Sequence, residues 1–329
     1  MLTTRKLLER IYLPISLDEV ATSVTESFGL GSIISFESLL VGYEEVNSLL
    51  ITSKGKYIVK IFSKDKDRKT IQSNVTALLE YYKGGIPVPK LYKTAQGDYL
   101  YKIIGESATY LIVMDYFDGS RFTDVKPTSG DKKNITNILS KIHSLNFATS
   151  ANYDMWLTVH LAGEFEKKRT FLTDSNLKLI EPVVKEFHKI DYSKLTKSIV
   201  HFDLHRENVM KDRNGKYCIL DLASTDYNYK IFDLATFMAL FCTEFRQSLE
   251  ENILIYKQII SKYLQSGSLN AYEKEILPLL IKATFASNLM IPEYLQKTGK
   301  DENPGQTIYY KLMGEEGLNM SNNTHLLLI

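Results

Sequence analysis

Cysteine is nearly absent from this chain: 329 residues carry two, Cys218 and Cys242, both in apolar surroundings. Two thiols are too few for a disulfide framework, and their setting predicts buried thiols in a reducing compartment. Net charge is also lacking. The 40 basic residues face 39 acidic ones, so no global field draws the chain to nucleic acid or to an acidic surface. Nothing approaches the roughly 18 consecutive apolar residues that a membrane span needs. The first 20 residues lack the continuous apolar core of a signal peptide. These absences lead us to expect a cytoplasmic protein with neither nucleic-acid nor membrane partners, and they leave the oligomeric state open.

What is present is core-forming material, at 44% hydrophobic residues, enough for two domains or one large one. Ser16-Leu-Asp-Glu19 reads as a capping box that opens a short helix ending at Phe28-Gly29. Strand-like runs follow over Ile33–Val41, Ser48–Thr52 and Tyr57–Phe62, the last two joined by a turn at Ser53-Lys-Gly-Lys56. A helical pattern then places Val75, Leu78, Leu79 and Tyr82 on one face and stops at Gly84-Gly85. Ile86-Pro-Val-Pro89 forces extended backbone, and two more strands fit Leu91–Thr94 and Tyr110–Met114. Past Asp118-Gly119 the pattern turns helical, over Asn134–Leu145, Ala162–Leu172, Leu177–His188 and most segments after Ile231. The expected organisation is a mostly-β first lobe over 1–118 and a mainly helical second lobe over 119–329. The polar, Gly/Pro/Asn-rich tail after Lys300 has no assigned element.

The chemistry concentrates in Ile199-Val-His-Phe-Asp-Leu-His-Arg-Glu-Asn-Val209, with Ile219-Leu-Asp221 after it. Asp203 and Asn208 lie five apart on a short loop behind one apolar run, and Asp221 ends another. Phosphoryl transfer uses such a set, with one carboxylate to orient a hydroxyl and an amide plus a second carboxylate to hold magnesium. His201 suits a role as loop anchor, and His205 and Arg206 could touch phosphate or the loop backbone. One rival is a zinc site, because His201, Asp203 and His205 alternate and would share a face on a strand. It leaves Asn208 and Asp221 unexplained. Lys60 interrupts the apolar strand Tyr57–Phe62, where it could reach nucleotide phosphates. The preceding Leu40–Asn47 segment, with Gly42, would be the turn over them. No Walker pattern occurs anywhere in the chain.

Together, "VGYEEVNSLLITSKGKYIVKIF", "GIPVPKLY", "LIVMDYFDG", "LSKIHSLNF", "IVHFDLHRENVM" and "CILDLAS…IFDLATF" resemble the aminoglycoside phosphotransferase and choline kinase-like superfamily, over about residues 35 to 245. The resemblance implies an α+β, two-lobed protein-kinase-like fold, with a small antiparallel sheet in the N-lobe, a helical C-lobe and ATP between them. By the same resemblance Lys60 would bind the α/β-phosphates, with Gly42 and Asn47 beside them. Met114 to Phe117 would form the hinge, pairing adenine through Asp115 and Phe117. Asp203 would be the catalytic aspartate, Asn208 and Asp221 the Mg2+ ligands, and Asp233 a structural support of the catalytic loop.

Departures occur in the motifs and in the helix. The family writes H-G-D where this chain has His201-Phe-Asp203, and D-F or D-W where it has Asp221-Leu222. The helix glutamate that normally pairs with the strand lysine is also missing. Glu80 lies too near the helix end, and Gln72 or Asn74 could stand in.

The expected acceptor is a small-molecule hydroxyl. Gly-Ile-Pro-Val-Pro and the segment before the hinge are similar to type II homoserine kinases, but amino alcohols and aminoglycosides stay open. Tyr153, Trp156 and His160 are candidate pocket residues. A pseudokinase that only binds nucleotide is one alternative. A protein kinase is another, although no A-P-E segment follows Asp221.

Overall fold

The computed structural model describes residues 8–11, 13, 15–40, 45–103, 108–150 and 153–322. It contains two compact units, one formed by 1–119 with 212–220 and the other by 120–211 with 221–329. Asp212–Leu220 is thus placed with the first unit although it lies deep in the second half of the chain.

The first unit starts with α1 (Leu17–Phe28). The Ser16 hydroxyl accepts from Glu19 N–H while the Glu19 carboxylate accepts from Ser16 N–H, and Gly29 ends the helix at φ 64°. Three strands follow: β1 (Ile33–Leu39), β2 (Val46–Thr52) and β3 (Gly55–Ile61). Thr52 pairs with Gly55, so Ser53 and Lys54 alone make the turn. After α2 (Arg68–Lys83) come β4 (Tyr101–Ile103) and β5 (Thr109–Asp115). These five strands form an antiparallel sheet in the order β1-β2-β3-β5-β4.

Period-two alternation gives the sheet two distinct faces. One carries Val46, Leu50, Tyr57, Val59, Ile61, Leu111 and Val113, buried against Val20, Ala21, Val24 and Phe28 of α1. On the other, α2 packs Ile71 and Val75 against Ile112 and Phe62. The helix buries Tyr81 completely and leaves Tyr82 51% exposed, so the expected apolar face is turned by one residue near its end. The strand expected at Leu91–Thr94 is absent. That stretch makes one isolated bridge, Leu91 to Met114, and Thr94 accepts from Gly97 N–H in a turn. Two closely spaced prolines ahead of it, Pro87 and Pro89, carry no N–H to extend a ladder. β4 was not anticipated, and Val41, Gly42 and the rest of 41–44 lie outside the described residues.

The second unit opens with β6 (Ser120–Arg121) and α3 (Ser129–Ile142). It continues with α4 (Leu161–Lys168), α5 (Asp174–Phe187) and the strands β7 (Lys197–Val200) and β8 (Val209–Lys211). β9 (Tyr217–Ile219) belongs to the first unit, where Ile219 N–H donates to the Pro87 carbonyl at 2.7 Å. The chain then forms β10 (Asp226–Tyr229), α6 (Lys230–Phe237), α7 (Leu249–Tyr263), α8 (Ala271–Thr298) and α9 (Pro304–Asn322). The tail after Lys300 is therefore mainly helix, with Pro304 at its first position, where a missing N–H costs nothing.

α9 lies against α8 at backbone distance. A Cβ on Gly314 would sit 2.5 Å from Leu289 N and 2.7 Å from the Phe285 carbonyl oxygen, and one on Gly317 would overlap the Phe285 ring at 2.4 Å. Both thiols are buried, and burial pushes each up to about 12, so they stay protonated and unreactive. Among the described residues no helix is long and apolar enough to cross a membrane.

Candidate active site

The strand β7 delivers the chain into the loop Val200–Asn208, and its pairing with β10 fixes where that loop starts: Val200 faces Asp226 and Lys197 faces Tyr229. Phe202 adopts φ +64°, a left-handed conformation that costs a side-chain-bearing residue about 1–2 kcal/mol. The glycine of the family motif falls at this position, and its missing Cβ removes that cost. Here the conformation is held by Asp233, on the first turn of α6 and fully buried. Its Oδ2 accepts from His201 N–H at 2.7 Å and its Oδ1 from Phe202 N–H at 2.9 Å. His143 Nε2 lies 3.1 Å from the same carboxylate, and its Nδ1 is 2.7 Å from the Tyr263 hydroxyl. Burial of the Phe202 ring adds apolar stabilisation that offsets the strain. His201 is fully buried, and its Nδ1 accepts from Asp203 N–H at 3.2 Å, an anchor within the loop.

Asp203 stays half-buried with both carboxylate oxygens engaged. Asn208 Nδ2 donates to Oδ2 at 2.6 Å and to the Asp203 carbonyl at 2.9 Å. His205 Nε2 lies 2.9 Å from Oδ1. The Glu207 N–H donates to His205 Nδ1 at 3.2 Å, so neutral His205 carries its proton on Nε2 and donates it to Asp203. Burial disfavours charge on this imidazole, but the adjoining Asp203 carboxylate, with Glu207 and Asp221, outweighs it and raises the His205 pKa. Because the Asn208 amide nitrogen faces Asp203, its carbonyl oxygen is turned away and remains a possible metal ligand. Arg206 reaches neither Asp203 nor Asn208. It donates to the Phe241 and Thr243 carbonyls at 3.0 and 2.7 Å and pairs with Glu244 at 3.2 Å, tying the loop to a wide, buried turn at Met238–Cys242.

Asp221 is exposed, at φ +54°, and its Oδ1 accepts from Ala223 N–H at 3.3 Å. The two strained non-glycine residues among those described, Phe202 and Asp221, are therefore both in the motif singled out from sequence. Among the described residues no group of three or more His, Cys, Asp or Glu side chains could hold a metal ion. The alternating zinc site fails because His201 turns its Nδ1 onto its own loop.

In the first unit Asn47 and Lys60 are direct cross-strand partners, and Lys60 in turn faces Ile112. They therefore share a sheet face with Leu49, Ile58 and Met114, two residues along. All but Ile112 are half-buried on this face. Leu49 and Ile58 were not anticipated as site residues, although strict alternation along β2 and β3 marks them. The lysine partner expected from the helix is instead on the chain just before β2. Glu45 Oε2 lies 3.6 Å from Lys60 Nζ, and Glu45 also binds Lys66. Glu80 pairs with Lys83, Gln72 is exposed, and Asn74 is buried with no partner for Nδ2. Beyond Met114, Asp115 N–H is already taken by the Lys90 carbonyl at 3.0 Å, and the Phe117 carbonyl accepts from Gly119 N–H at 3.1 Å. Any edge-on pairing of a base here falls to the Asp115 carbonyl and the Phe117 N–H.

Of the aromatic pocket candidates, Tyr153 is 62% exposed and leans on His160, ring to ring at 4.7 Å. Trp156 turns the other way, 5.6 Å from the ring of Tyr310. Tyr310, from α9, stands over the catalytic loop: its hydroxyl donates to Glu207 Oε2, lies 3.4 Å from His205 Nε2, and shares Glu207 with Gln306. No local motif announces α9 as part of the site.

One unit built on a five-stranded antiparallel sheet and a second, mainly helical one, with His201, Asp203 and Asn208 on the loop after β7, define a protein-kinase-like phosphotransferase. A family model described as the phosphotransferase enzyme family matches residues 35–265, and the chain belongs to that family. Among curated proteins it is similar to a homoserine kinase of Rhodopseudomonas palustris (strain TIE-1), 21% identical over 287 residues, which cover 83% of this chain and 82% of the other. Among solved structures it is similar to an amicoumacin kinase in complex with AMP-PNP and Ca2+, with TM-score 0.69, 15% identity and coverage of 98% and 97% of the two chains. It is also similar to the choline kinase LicA from Streptococcus pneumoniae, with TM-score 0.60, 17% identity and coverage of 92% and 99%. At these identities the structural likeness establishes the fold.

Proposed function

We propose that this protein transfers the γ-phosphate of ATP, with Mg2+, to a hydroxyl of a small molecule of the amino-alcohol, homoserine-like or aminoglycoside kind. The observation that carries the reading is the Asp203–Asn208 pair: a carboxylate 38% exposed, held at Oδ1 by His205 and at Oδ2 by an amide whose oxygen faces away. In the reaction the acceptor hydroxyl is held by Asp203, its oxygen bonds to the γ-phosphorus, the bond to the β-phosphate oxygen breaks, and the hydroxyl proton passes to Asp203. Such general-base help is typically worth about 10²–10⁴ in rate. Asn208 and His205 hold the carboxylate in place for it.

The donor set fits magnesium, since the Asn208 carbonyl and the Asp221 carboxylate are hard oxygen ligands. When bound, the ion neutralises charge on the nucleotide's phosphates. In the first unit, Lys60 would meet nucleotide phosphates, with Asn47 beside it and Leu49, Ile58 and Met114 offering an apolar face to the purine. The Lys60–Glu45 pair weighs against a pseudokinase, because the strand lysine is oriented by a carboxylate even without the usual helix residue.

An ATP-turnover assay against a panel of hydroxylated amines, with and without Mg2+, tests the reading. Asp203→Asn is expected to abolish transfer while nucleotide still binds, and turnover retained in that variant would remove Asp203 from the mechanism. Asp221→Ala is expected to remove the Mg2+ dependence of nucleotide binding.

A further inference from the structure

Glu244, which ties down Arg206 of the catalytic loop, also holds Lys132 at 2.7 Å and Lys126 at 3.5 Å. Burial pushes this carboxyl up, but the Lys132 hydrogen bond and the Arg206 charge outweigh it and hold the group below its ordinary value. It stays ionised, and one negative charge answers three positive ones. Lys126, Lys132 and Glu244 line a hollow of about 220 Å³ at the start of α3, with Lys133 beside them and Ile255 and Ile259 of α7 in its wall. Lys133 and Gln258 also border a wider hollow of about 650 Å³ between α3 and α7, where Lys257 and Lys262 add further positive charge. Among the described residues that line the two hollows, Glu244 is the sole carboxylate.

The acids nearest in sequence do not balance this excess. Asp131 pairs with Lys211 at 2.6 Å, and Glu250 and Glu251 gather around Ser248 at the exposed start of α7. Gln247 also lines the smaller hollow, with its Oε1 buried and without a partner. Turning that amide over presents two N–H donors instead. Lys132 is 5% exposed, so its ammonium is held in place and poorly screened by water. A recess lined by one sign of charge concentrates its field on a counter-ion, and an excess beyond a single charge favours a dianion over a monoanion. The space is too small for a peptide or a membrane surface, and Ile255 and Ile259 offer apolar cover to a short organic group. We infer that this hollow is a second binding site, which takes a small phosphate monoester: its dianion meets Lys126, Lys132 and Lys133, and its organic group meets the two isoleucines. None of Asp203, Asn208 and Asp221 lines it, and the inference rests on no step of the phosphoryl transfer.

The test is calorimetric binding of n-propyl phosphate to the full-length protein, in low salt and without nucleotide or Mg2+. Propane-1-sulfonate, of similar shape but one charge, and inorganic phosphate, which lacks the apolar group, serve as comparisons. The monoester is expected to bind saturably, about tenfold more tightly than the sulfonate, and more tightly than inorganic phosphate. Lys126 and Lys133 are exposed, so the double variant Lys126→Ala/Lys133→Ala should keep its thermal midpoint while its affinity for the monoester falls about tenfold. Lys60→Met should leave that affinity unchanged. Absence of saturable binding, or an affinity untouched in the double lysine variant, would overturn the inference. So would binding lost in Lys60→Met, which would put the monoester at the nucleotide's phosphate position. Equal affinities for phosphate monoester and sulfonate would overturn the assignment of a dianion.

Discussion

The two units position their key side chains by opposite means. Lys60 stands on a central strand, and the ladders to β2 and β5 fix its backbone before any side chain is counted. Its named charge partner, Glu45, adds one ion pair at 3.6 Å. Asp203 stands on a loop with no ladder of its own and with strained backbone one residue earlier. Its place is set by side chains from elsewhere: Asp233 from α6, His143 from the end of α3, and Tyr310 from α9 through His205. A strand supplies precision through regular pairing, whereas a loop must collect it from buried polar contacts far apart in sequence.

If that contrast holds, the loop's supports are the costliest to remove. Asp233→Ala deletes the acceptor of two buried N–H groups and the partner of His143. It should cost about 3–5 kcal/mol in unfolding free energy, read from chemical denaturation. A loss under about 1 kcal/mol would mean that the loop holds itself. Gly314→Ala strikes the support one step further out, driving a Cβ into the backbone of α8, and should cost about 1–3 kcal/mol.

The strain at Phe202 can be isolated by comparing two truncations. Both Phe202→Ala and Phe202→Gly lose the buried ring, but glycine accepts φ +64° freely. The glycine variant should be the more stable of the two by about 1 kcal/mol. The reverse order would show that the loop relaxes once the ring is gone. The smallest effect belongs to the strand side. Glu45→Gln should change stability by about 1 kcal/mol or less and act mainly by raising the KM for nucleotide severalfold. A collapse of the fold in that variant would erase the contrast.

Much of this was legible in the sequence wherever the determining contacts are local. The capping box at Ser16 and Glu19, the turn at Ser53-Lys54 and the Asp203–Asn208 spacing each lie within a few residues, and each reads directly into geometry. Asp233 was identifiable as a support of the loop, although the two N–H groups that it accepts were not. What stayed hidden was long-range or conformational. Glu45 replaces a helix residue from a position where no pattern asks for an acid. Tyr310 and Gln306 arrive at Glu207 from about a hundred residues away. The Phe202 side chain looked like a departure from the family motif, but its left-handed backbone, which a glycine would adopt freely, is not legible in the residue type. The strand missed at Tyr101–Ile103 is three residues long, too short to show a period.

The contact between α8 and α9 at Gly314 has a consequence for how this protein tolerates change. Side chains that meet across an interface can exchange rotamers to absorb a mutation, but two backbones in contact cannot. Gly314 lies one helical turn, about 6 Å, beyond Tyr310. A displacement forced there passes along a stiff rod to the hydroxyl that touches Glu207. Inactivating substitutions should therefore gather at a glycine that meets neither nucleotide nor acceptor, while the exposed side of the same helix at Ile308 and Leu312 varies freely.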